Sequence, residues 1–322
     1  EIEPFFRAGC EVDLYRVRSD LQIDVEDIAA RLVPGIKALL VTHYFGFPQR
    51  HLAELKELCR RNGTLLVEDC AHALFSDGTE GPLGSTGDLS VFSFRKTLPL
   101  PHGGGLLIND PHLGPLPPNL APSNLSTLTK AIDLYKKSLL QNLGARHSPV
   151  ERANLLWCLP LLKLAEVFWR LDLPSRTAWY DPDDEGFGFA DEILRWGMSA
   201  YCRRLLPGLS DPGIRDVRRG HWLILQERLA GLAHLKPAFP ELPPGVCPLF
   251  FPILIADRTA WVKRLQENRI YAAPWWEALY PKVALQDFPD ALELKARMIA
   301  LPLHQDLSAA ALARMTDFLR NG

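Results

Sequence analysis

The segment from Thr64 to Asn109 constrains the fold of this chain more than any other. It contains three short apolar runs, each bordered by polar residues or glycines. The first run ends at Glu68 and Asp69, and the second, at residues 89–94, contains Ser93 and leads to Lys96. Strands that end in polar residues at glycine-rich loops are typical of the carboxyl edge of an α/β sheet, where such folds bind their ligands.

The residues before this segment predict a strand–helix–strand unit. Residues 37–43 form an apolar run that predicts a buried strand, and residues 49–62 carry leucines at helical spacing. Gly63 follows where helices often end on a left-handed glycine, and residues 65–67 predict the next strand. This order favours an α/β fold, in which a mostly parallel sheet is flanked by helices.

The C-terminal residues predict a smaller α+β domain. Strands are expected at 249–255, 269–273 and 299–304, and helices at 258–268 and 307–320. Two further helices, at 199–206 and 218–232, are expected before these elements. We place the large domain at residues 1–212 and the small domain at 213–322.

A helical insertion is predicted within the large domain at about 111–193. It begins with five prolines in residues 111–122, and helices are expected at 126–143 and 154–171. The second helix is strongly apolar, which favours packing on the core or on a partner subunit, with a membrane surface as the alternative. Charged residues interrupt it, and it falls short of the ~20 residues that a span needs, so no transmembrane segment is expected.

Composition excludes several classes of function. The net charge of -2 lacks the basic excess of a nucleic-acid-binding protein. Six scattered cysteines include no C-x-x-C pair, which argues against a disulfide framework or a zinc site and fits a cytoplasmic protein without a metal. The first residues show no pattern of a secretory signal.

An aspartate, a strand-end serine and a lysine suggest a phosphorylated carbonyl cofactor, pyridoxal 5'-phosphate (PLP). Lys96 lies among Phe92, Phe94 and Leu98, which would desolvate its amine for a Schiff base. Asp69 would pair with the pyridinium nitrogen, although a strand-end carboxylate often serves only as a cap. His72 would reach the ring or its phenolic oxygen, or be structural.

Donors for the phosphate are expected nearby. The hydroxyl of Ser93 and the turn at Gly84, Ser85 and Gly87 offer hydroxyl and backbone N–H groups of the kind that bind phosphate. Neither G-x-x-x-x-G-K-[ST] nor G-x-G-x-x-G occurs, which disfavours nucleotide triphosphates and dinucleotides. Zincin and α/β-hydrolase motifs are absent too.

Taken together, several motifs resemble the DegT/StrS family of PLP-dependent nucleotide-sugar aminotransferases. They are VEDCAHAL, GSTGDLSVFSFRKTLP and HGGGLLI, followed by RRGHW, FFPILIADR, RIYAAPWW and LPLHQDL. The resemblance implies a fold-type-I enzyme in which Lys96 carries PLP and transfers protons. By the same resemblance Asp69, His72 and Ser93 bind the cofactor.

The resemblance also implies the substrates. Glutamate would give an amino group to a nucleotide-linked keto-sugar in polysaccharide or cell-surface glycan biosynthesis, within a homodimer. The Gly-Thr phosphate loop and strands that usually come first in the family are not in this sequence, so an incomplete N-terminal part is expected. The alternatives are a catalytically weak or inactive structural partner in a glycan-assembly complex, and a PLP sugar dehydratase. Lys96 disfavours the dehydratase, because histidine typically replaces this lysine in that branch of the family.

Overall fold

The structure, a computed structural model, describes residues 3–114, 196–209, 213–276 and 284–322, together with positions 127, 131, 132, 134 and 160. The chain divides into two compact units. The smaller unit comprises Glu1–Leu14, Leu98–Gly103 and Pro115–Ser210, and the larger comprises Tyr15–Thr97, Gly104–Gly114 and Asp211–Gly322.

The helices among the described residues are, in chain order, α1 (Glu3–Arg7), α2 (Val25–Arg31), α3 (Leu52–Asn62), α4 (Ala200–Leu209), α5 (Gly213–Leu229), α6 (Arg258–Glu267), α7 (Pro289–Arg297) and α8 (Ala309–Asn321). The strands are β1 (Ala38–Thr42), β2 (Leu65–Asp69), β3 (Asp77–Gly78), β4 (Gly81–Pro82), β5 (Leu89–Ser93), β6 (Gly104–Ile108), β7 (Leu235–Pro237), β8 (Phe250–Ile255), β9 (Ala273–Pro274) and β10 (Met298–Pro302).

The first sheet of the larger unit has the strand order β1-β2-β5-β6. Strands β1, β2 and β5 are parallel, and β6 runs antiparallel to β5. Helix α3 connects β1 to β2 and ends at Gly63, whose φ of 66° is left-handed. This strand–helix–strand unit and the mostly parallel sheet confirm the expected fold class.

Apolar side chains explain why this sheet forms where it does. Leu39, Val41 and Leu66 are buried on the sheet, and Leu55 and Cys59 of α3 pack against them. Ile28 of α2 joins the same core. Burial of such side chains contributes about 1.5–3 kcal/mol each, so the crossover helix is held against the strands by its apolar face.

The second sheet of the larger unit is antiparallel, with the order β7-β8-β10-β9. Its core contains Trp222 and Leu225 of α5, Phe251 and Ile253 of β8, and Leu312 of α8. The C-terminal residues therefore form the expected combination of strands and helices. The boundary between a large and a small domain at 212/213 stays a prediction.

Two expectations for the C-terminal part differ from the structure. The strand expected at 269–273 is replaced by the two-residue strand β9, because Arg269 has a left-handed φ of 57° and the Ile270 N–H still bonds to Leu265 O of α6. Strand β7 and helix α7 were not anticipated. The helices expected at 126–143 and 154–171 lie outside the described residues, apart from isolated positions.

Within the part of the chain that the structure describes, no helix has the length and apolar character to cross a bilayer.

Candidate active site

The carboxyl ends of β2 and β5 bring the predicted site residues to one edge of the sheet. Asp69 is the last residue of β2, is buried, and pairs in register with Val91 of β5. Its carboxylate accepts a hydrogen bond of 2.9 Å from the Ala71 N–H. Because the two strands are parallel, the carboxyl end of β5 lies at the same edge of the sheet as Asp69.

Ser93 and Lys96 follow Val91 at this edge. Strand β5 ends at Ser93, and a short 3₁₀ turn (Phe94–Lys96) follows it. The Ser93 hydroxyl makes no capping hydrogen bond to this turn. Lys96 is partly buried and ends the turn, whereas its neighbour Arg95 is exposed. The structure therefore places the predicted lysine and serine beside the strand that ends at the predicted aspartate.

His72 is a buried, neutral imidazole within electrostatic reach of Lys96. Burial is the main reason why the pKa of His72 lies well below its ordinary value, and the positive charge of Lys96 lowers it further. Its Nδ1 accepts a hydrogen bond of 3.2 Å from the Phe45 N–H. Since Nδ1 accepts, the proton of the neutral ring is on Nε2.

We expect the His72 ring to remain neutral where an ordinary histidine titrates, around pH 6.5. The folded pKa lies below the unfolded one, so His72 makes the protein less stable as the pH falls below about 6.5. In Lys96→Gln the pKa of His72 should rise, because a nearby cation has gone, yet stay below the ordinary value, because burial remains. NMR titration of the histidine rings measures both effects.

The control for this titration is Lys263→Gln, which removes an exposed lysine from α6. It should leave the pKa of His72 unchanged. An equal shift in both variants, or none in Lys96→Gln, would show that Lys96 does not act on His72.

Aromatic side chains surround His72, and sequence reasoning did not assign them to the site. Phe45 and Trp275 have ring centroids 5.9 Å and 5.4 Å from that of His72, and their own centroids are 4.9 Å apart. Phe45 is fully buried and has a left-handed φ of 57°, which is rare for a bulky residue. The sequence offers one indication of this aromatic cluster, namely the aromatic residues of YFGF at 44–47 and PWW at 274–276.

His43 and Glu68 form a buried hydrogen-bonded pair, and the His43 Nδ1 accepts a hydrogen bond from the Gln49 N–H. The His43 Nε2 is 2.9 Å from the Glu68 Oε2, and both side chains are fully buried. Burial by itself raises the pKa of Glu68, but the hydrogen bond from His43 and the backbone N–H groups of Gly87 and Gly84 outweigh it and hold the pKa below its ordinary value. Glu68 is therefore an ionised carboxylate inside the protein.

The Gly84–Gly87 turn binds this carboxylate, so the expectation that it binds phosphate is wrong. The N–H groups of Gly84, Thr86 and Gly87 all donate to Glu68. The Ser85 hydroxyl donates to the Pro82 carbonyl at 2.7 Å. The turn also precedes β5, whereas Ser93 lies at its other end. Of the predicted phosphate donors, only the Ser93 hydroxyl remains.

His43, Glu68 and Cys70 bring three possible metal ligands within 4.8 Å of one another. Both Glu68 oxygens already accept hydrogen bonds from the protein. Burial, and then the charges of Glu68 and Asp69, raise the pKa of the Cys70 thiol, which disfavours the thiolate that binds metals. The cluster therefore has the chemistry of a structural hydrogen-bonded pair, in which Glu68 accepts from His43.

A family model matches the part of the chain that contains these residues. Residues 9–115 match the family model described as the DegT/DnrJ/EryC1/StrS aminotransferase family. Over this segment the chain is similar to that family. It includes all four predicted site residues: Asp69, His72, Ser93 and Lys96.

Relatives and solved structures extend the comparison. A GDP-perosamine synthase of Vibrio cholerae is 34% identical over 91 residues, covering 28% of this chain and 24% of the synthase. A dTDP-4-dehydro-2,3,6-trideoxy-D-glucose 4-aminotransferase of Saccharopolyspora spinosa is 29% identical over 168 residues, covering 50% of this chain and 42% of that enzyme. The matches thus span less than half the length of both curated relatives.

The fold of the chain resembles that of the sugar aminotransferase CalS13 from Micromonospora echinospora. The TM-score is 0.61 at 18% identity, and the match covers 99% of this chain and 76% of CalS13. The fold is therefore that of the fold-type-I sugar aminotransferases, as the sequence predicted.

Proposed function

We propose that this chain is a PLP-dependent aminotransferase that moves an amino group from glutamate to a nucleotide-linked keto-sugar in polysaccharide or cell-surface glycan biosynthesis. The observation that carries the proposal is the common sheet edge of Asp69 and Lys96, with neutral His72 under the electrostatic influence of Lys96. By their names, one of the curated relatives described above makes a GDP-linked sugar and the other transfers an amino group to a dTDP-linked sugar. Both names support a nucleotide-sugar substrate.

The chemistry of these side chains fits the ring and the aldehyde of PLP. When bound, PLP supplies an aldehyde carbon that bonds amines and a protonated ring that accepts electrons. Asp69, a buried carboxylate at the sheet edge, would hold the ring nitrogen in its protonated form. The Lys96 amine would hold the aldehyde and move the proton from Cα of the amino donor. His72 would offer its Nε2–H as a hydrogen-bond donor.

Ser93 would bind the phosphate. Its hydroxyl is not used to cap the 3₁₀ turn that follows it, which supports this role. Since the Gly84–Gly87 turn is occupied by Glu68, Ser93 is the one phosphate donor that the sequence predicted and the local hydrogen bonds leave available. The proposal includes a homodimer and a cytoplasmic location. Five cysteines in the described residues are free thiols, which supports the location.

The test of the cofactor assignment is covalent trapping. The chain is incubated with PLP, reduced with borohydride, digested, and analysed by mass spectrometry. We expect a pyridoxyl group on the peptide that contains Lys96, because its amine lies at the sheet edge with Asp69 and His72. A visible absorbance band should appear on adding PLP and be lost on reduction.

The exposed Lys236 and Lys263 are internal controls for this trapping. Their labelling at low PLP concentration should remain well below that of Lys96. Labelling spread evenly over the three lysines would contradict the assignment of Lys96.

One observation favours the alternative, a catalytically weak or inactive partner in a glycan-assembly complex. The backbone donors expected for the phosphate are bound to Glu68, which reduces the donors available for PLP. The same trapping experiment separates the two functions, since an inactive partner would leave Lys96 unlabelled at PLP concentrations that label an active aminotransferase.

A further inference from the structure

The backbone directly after Lys96 is held by side chains from the C-terminal part of the larger unit. Thr97 is buried, and its carbonyl accepts hydrogen bonds from Gln305 Nε2 at 3.1 Å and from an Arg218 guanidinium nitrogen at 3.4 Å. Arg218 lies on α5, and Gln305 follows β10. Both therefore reach the 3₁₀ turn of Lys96 from elements far away in sequence.

Arg218 is a buried cation, and its hydrogen-bond partners within the described residues are neutral oxygens. Its side chain donates to Gln305 Oε1 at 2.9 Å and to the carbonyls of Pro248 and Leu249 at 3.1 Å, in addition to Thr97. Burial lowers the pKa of this guanidinium, but arginine stays charged in proteins. The rigid guanidinium fork thus fixes four acceptors from three separate segments at once.

Gln305, Arg218 and Thr97 are linked to one another by hydrogen bonds. Its Oε1 accepts from Arg218 while its Nε2 donates to the Thr97 carbonyl. The orientation of the amide is set by these two contacts, because the reverse orientation would direct two donors at each other. Neither side chain can move without releasing the carbonyl of the residue next to Lys96.

We propose that Arg218 and Gln305 are positioning residues that fix the Thr97 carbonyl and thereby the direction in which Lys96 presents its amine. This inference rests on the proposed function, in which that amine is the reactive group. A displacement of 1 Å at such a group can lower a rate by about a hundredfold. Two side chains that hold the adjacent peptide restrict this displacement.

The alternative is that Arg218 and Gln305 have a structural role only and connect α5 and β10 to the first sheet. The same contacts would be seen in that case. The two roles differ in what they predict for the amine in the folded protein. A structural link affects stability alone, whereas a positioning role changes the reactivity of Lys96 even where the protein remains folded. The test therefore measures Lys96 itself, without cofactor.

The experiment compares Arg218→Lys and Gln305→Met with Arg219→Lys. Arg219 is the matched control, since it directly follows Arg218 on α5 and donates to the carbonyls of Pro243 and Val246 instead of Thr97. Each cofactor-free full-length variant is labelled with trace acetic anhydride across a pH series. Mass spectrometry gives the rate at Lys96 relative to the exposed Lys263, and thermal unfolding is recorded in parallel.

We expect Arg218→Lys and Gln305→Met to change the relative labelling rate of Lys96 by about threefold or more, or to shift its pH profile, while Arg219→Lys leaves both unchanged. Gln305 is only partly buried, so Gln305→Met carries the test if Arg218→Lys fails to fold. A wild-type labelling rate and pH profile in folded Gln305→Met would overturn the proposal. PLP trapping on the unaltered chain tests the proposed function separately.

Discussion

Replacing Lys96 with alanine should abolish the release of 2-oxoglutarate from glutamate in the presence of PLP. The variant lacks the amine that would hold the aldehyde and the base that would move the proton from Cα. Loss of proton transfer alone costs typically about 10²–10⁴-fold in rate. The measurement is the amount of 2-oxoglutarate formed by a known amount of enzyme, which needs no knowledge of the sugar acceptor.

Arg95→Ala is the matched control for this variant. Arg95 is the preceding residue of the same 3₁₀ turn and is exposed to solvent. Its replacement should leave the release of 2-oxoglutarate nearly unchanged, since it removes a cation without touching the amine. If Lys96→Ala retained the activity of the unaltered chain, another lysine or no lysine would be the catalytic group.

Glu68→Gln should lower the free energy of unfolding by about 1–3 kcal/mol, the cost of leaving a buried hydrogen-bond donor without an acceptor. Both oxygens of Glu68 accept hydrogen bonds, from His43 and three backbone N–H groups. Glutamine offers one acceptor oxygen, so its amide N–H groups would face a donor. Urea denaturation, monitored by tryptophan fluorescence, gives the change in midpoint.

The control is Glu57→Gln on the surface of α3. Glu57 forms ion pairs with Arg60 and Arg61, but all three side chains are exposed, and exposed pairs contribute little. Its replacement should leave the midpoint nearly unchanged. A similar small effect of Glu68→Gln would mean that the Gly84–Gly87 turn is held by something other than the buried carboxylate.

The order of elements could be predicted because it follows from local patterns. The apolar runs at 37–43 and 65–67 became β1 and β2, and the leucines between them formed one face of α3. The end of that helix at Gly63 followed from the conformational freedom of glycine. Such signals act over a few residues, and the sequence contains all the information they need.

The site was predicted only in part. The sequence indicated Asp69, Ser93 and Lys96 from their places at strand ends, and parallel pairing brought these strand ends to one edge. The sequence also led us to expect phosphate at the Gly84–Gly87 turn, because glycine-rich turns often present unpaired backbone N–H groups to an anion. The sequence analysis assigned no role to Glu68. Glu68 and Asp69 are consecutive residues of a strand, so their side chains face opposite sides of the sheet and find different partners.

The sequence by itself determined the α/β class, the crossover between β1 and β2, and the residue types that suggest PLP. The tertiary structure alone decided which partner each polar group finds. Glu68 takes the N–H groups of the turn, Trp275 reaches His72 from the second sheet, and Arg218 reaches Thr97 across 121 positions of sequence. A buried polar group without a hydrogen bond is costly, so each of these groups pairs with a partner that is near in space. These partners are far apart in sequence, and patterns of neighbouring residues do not reveal them.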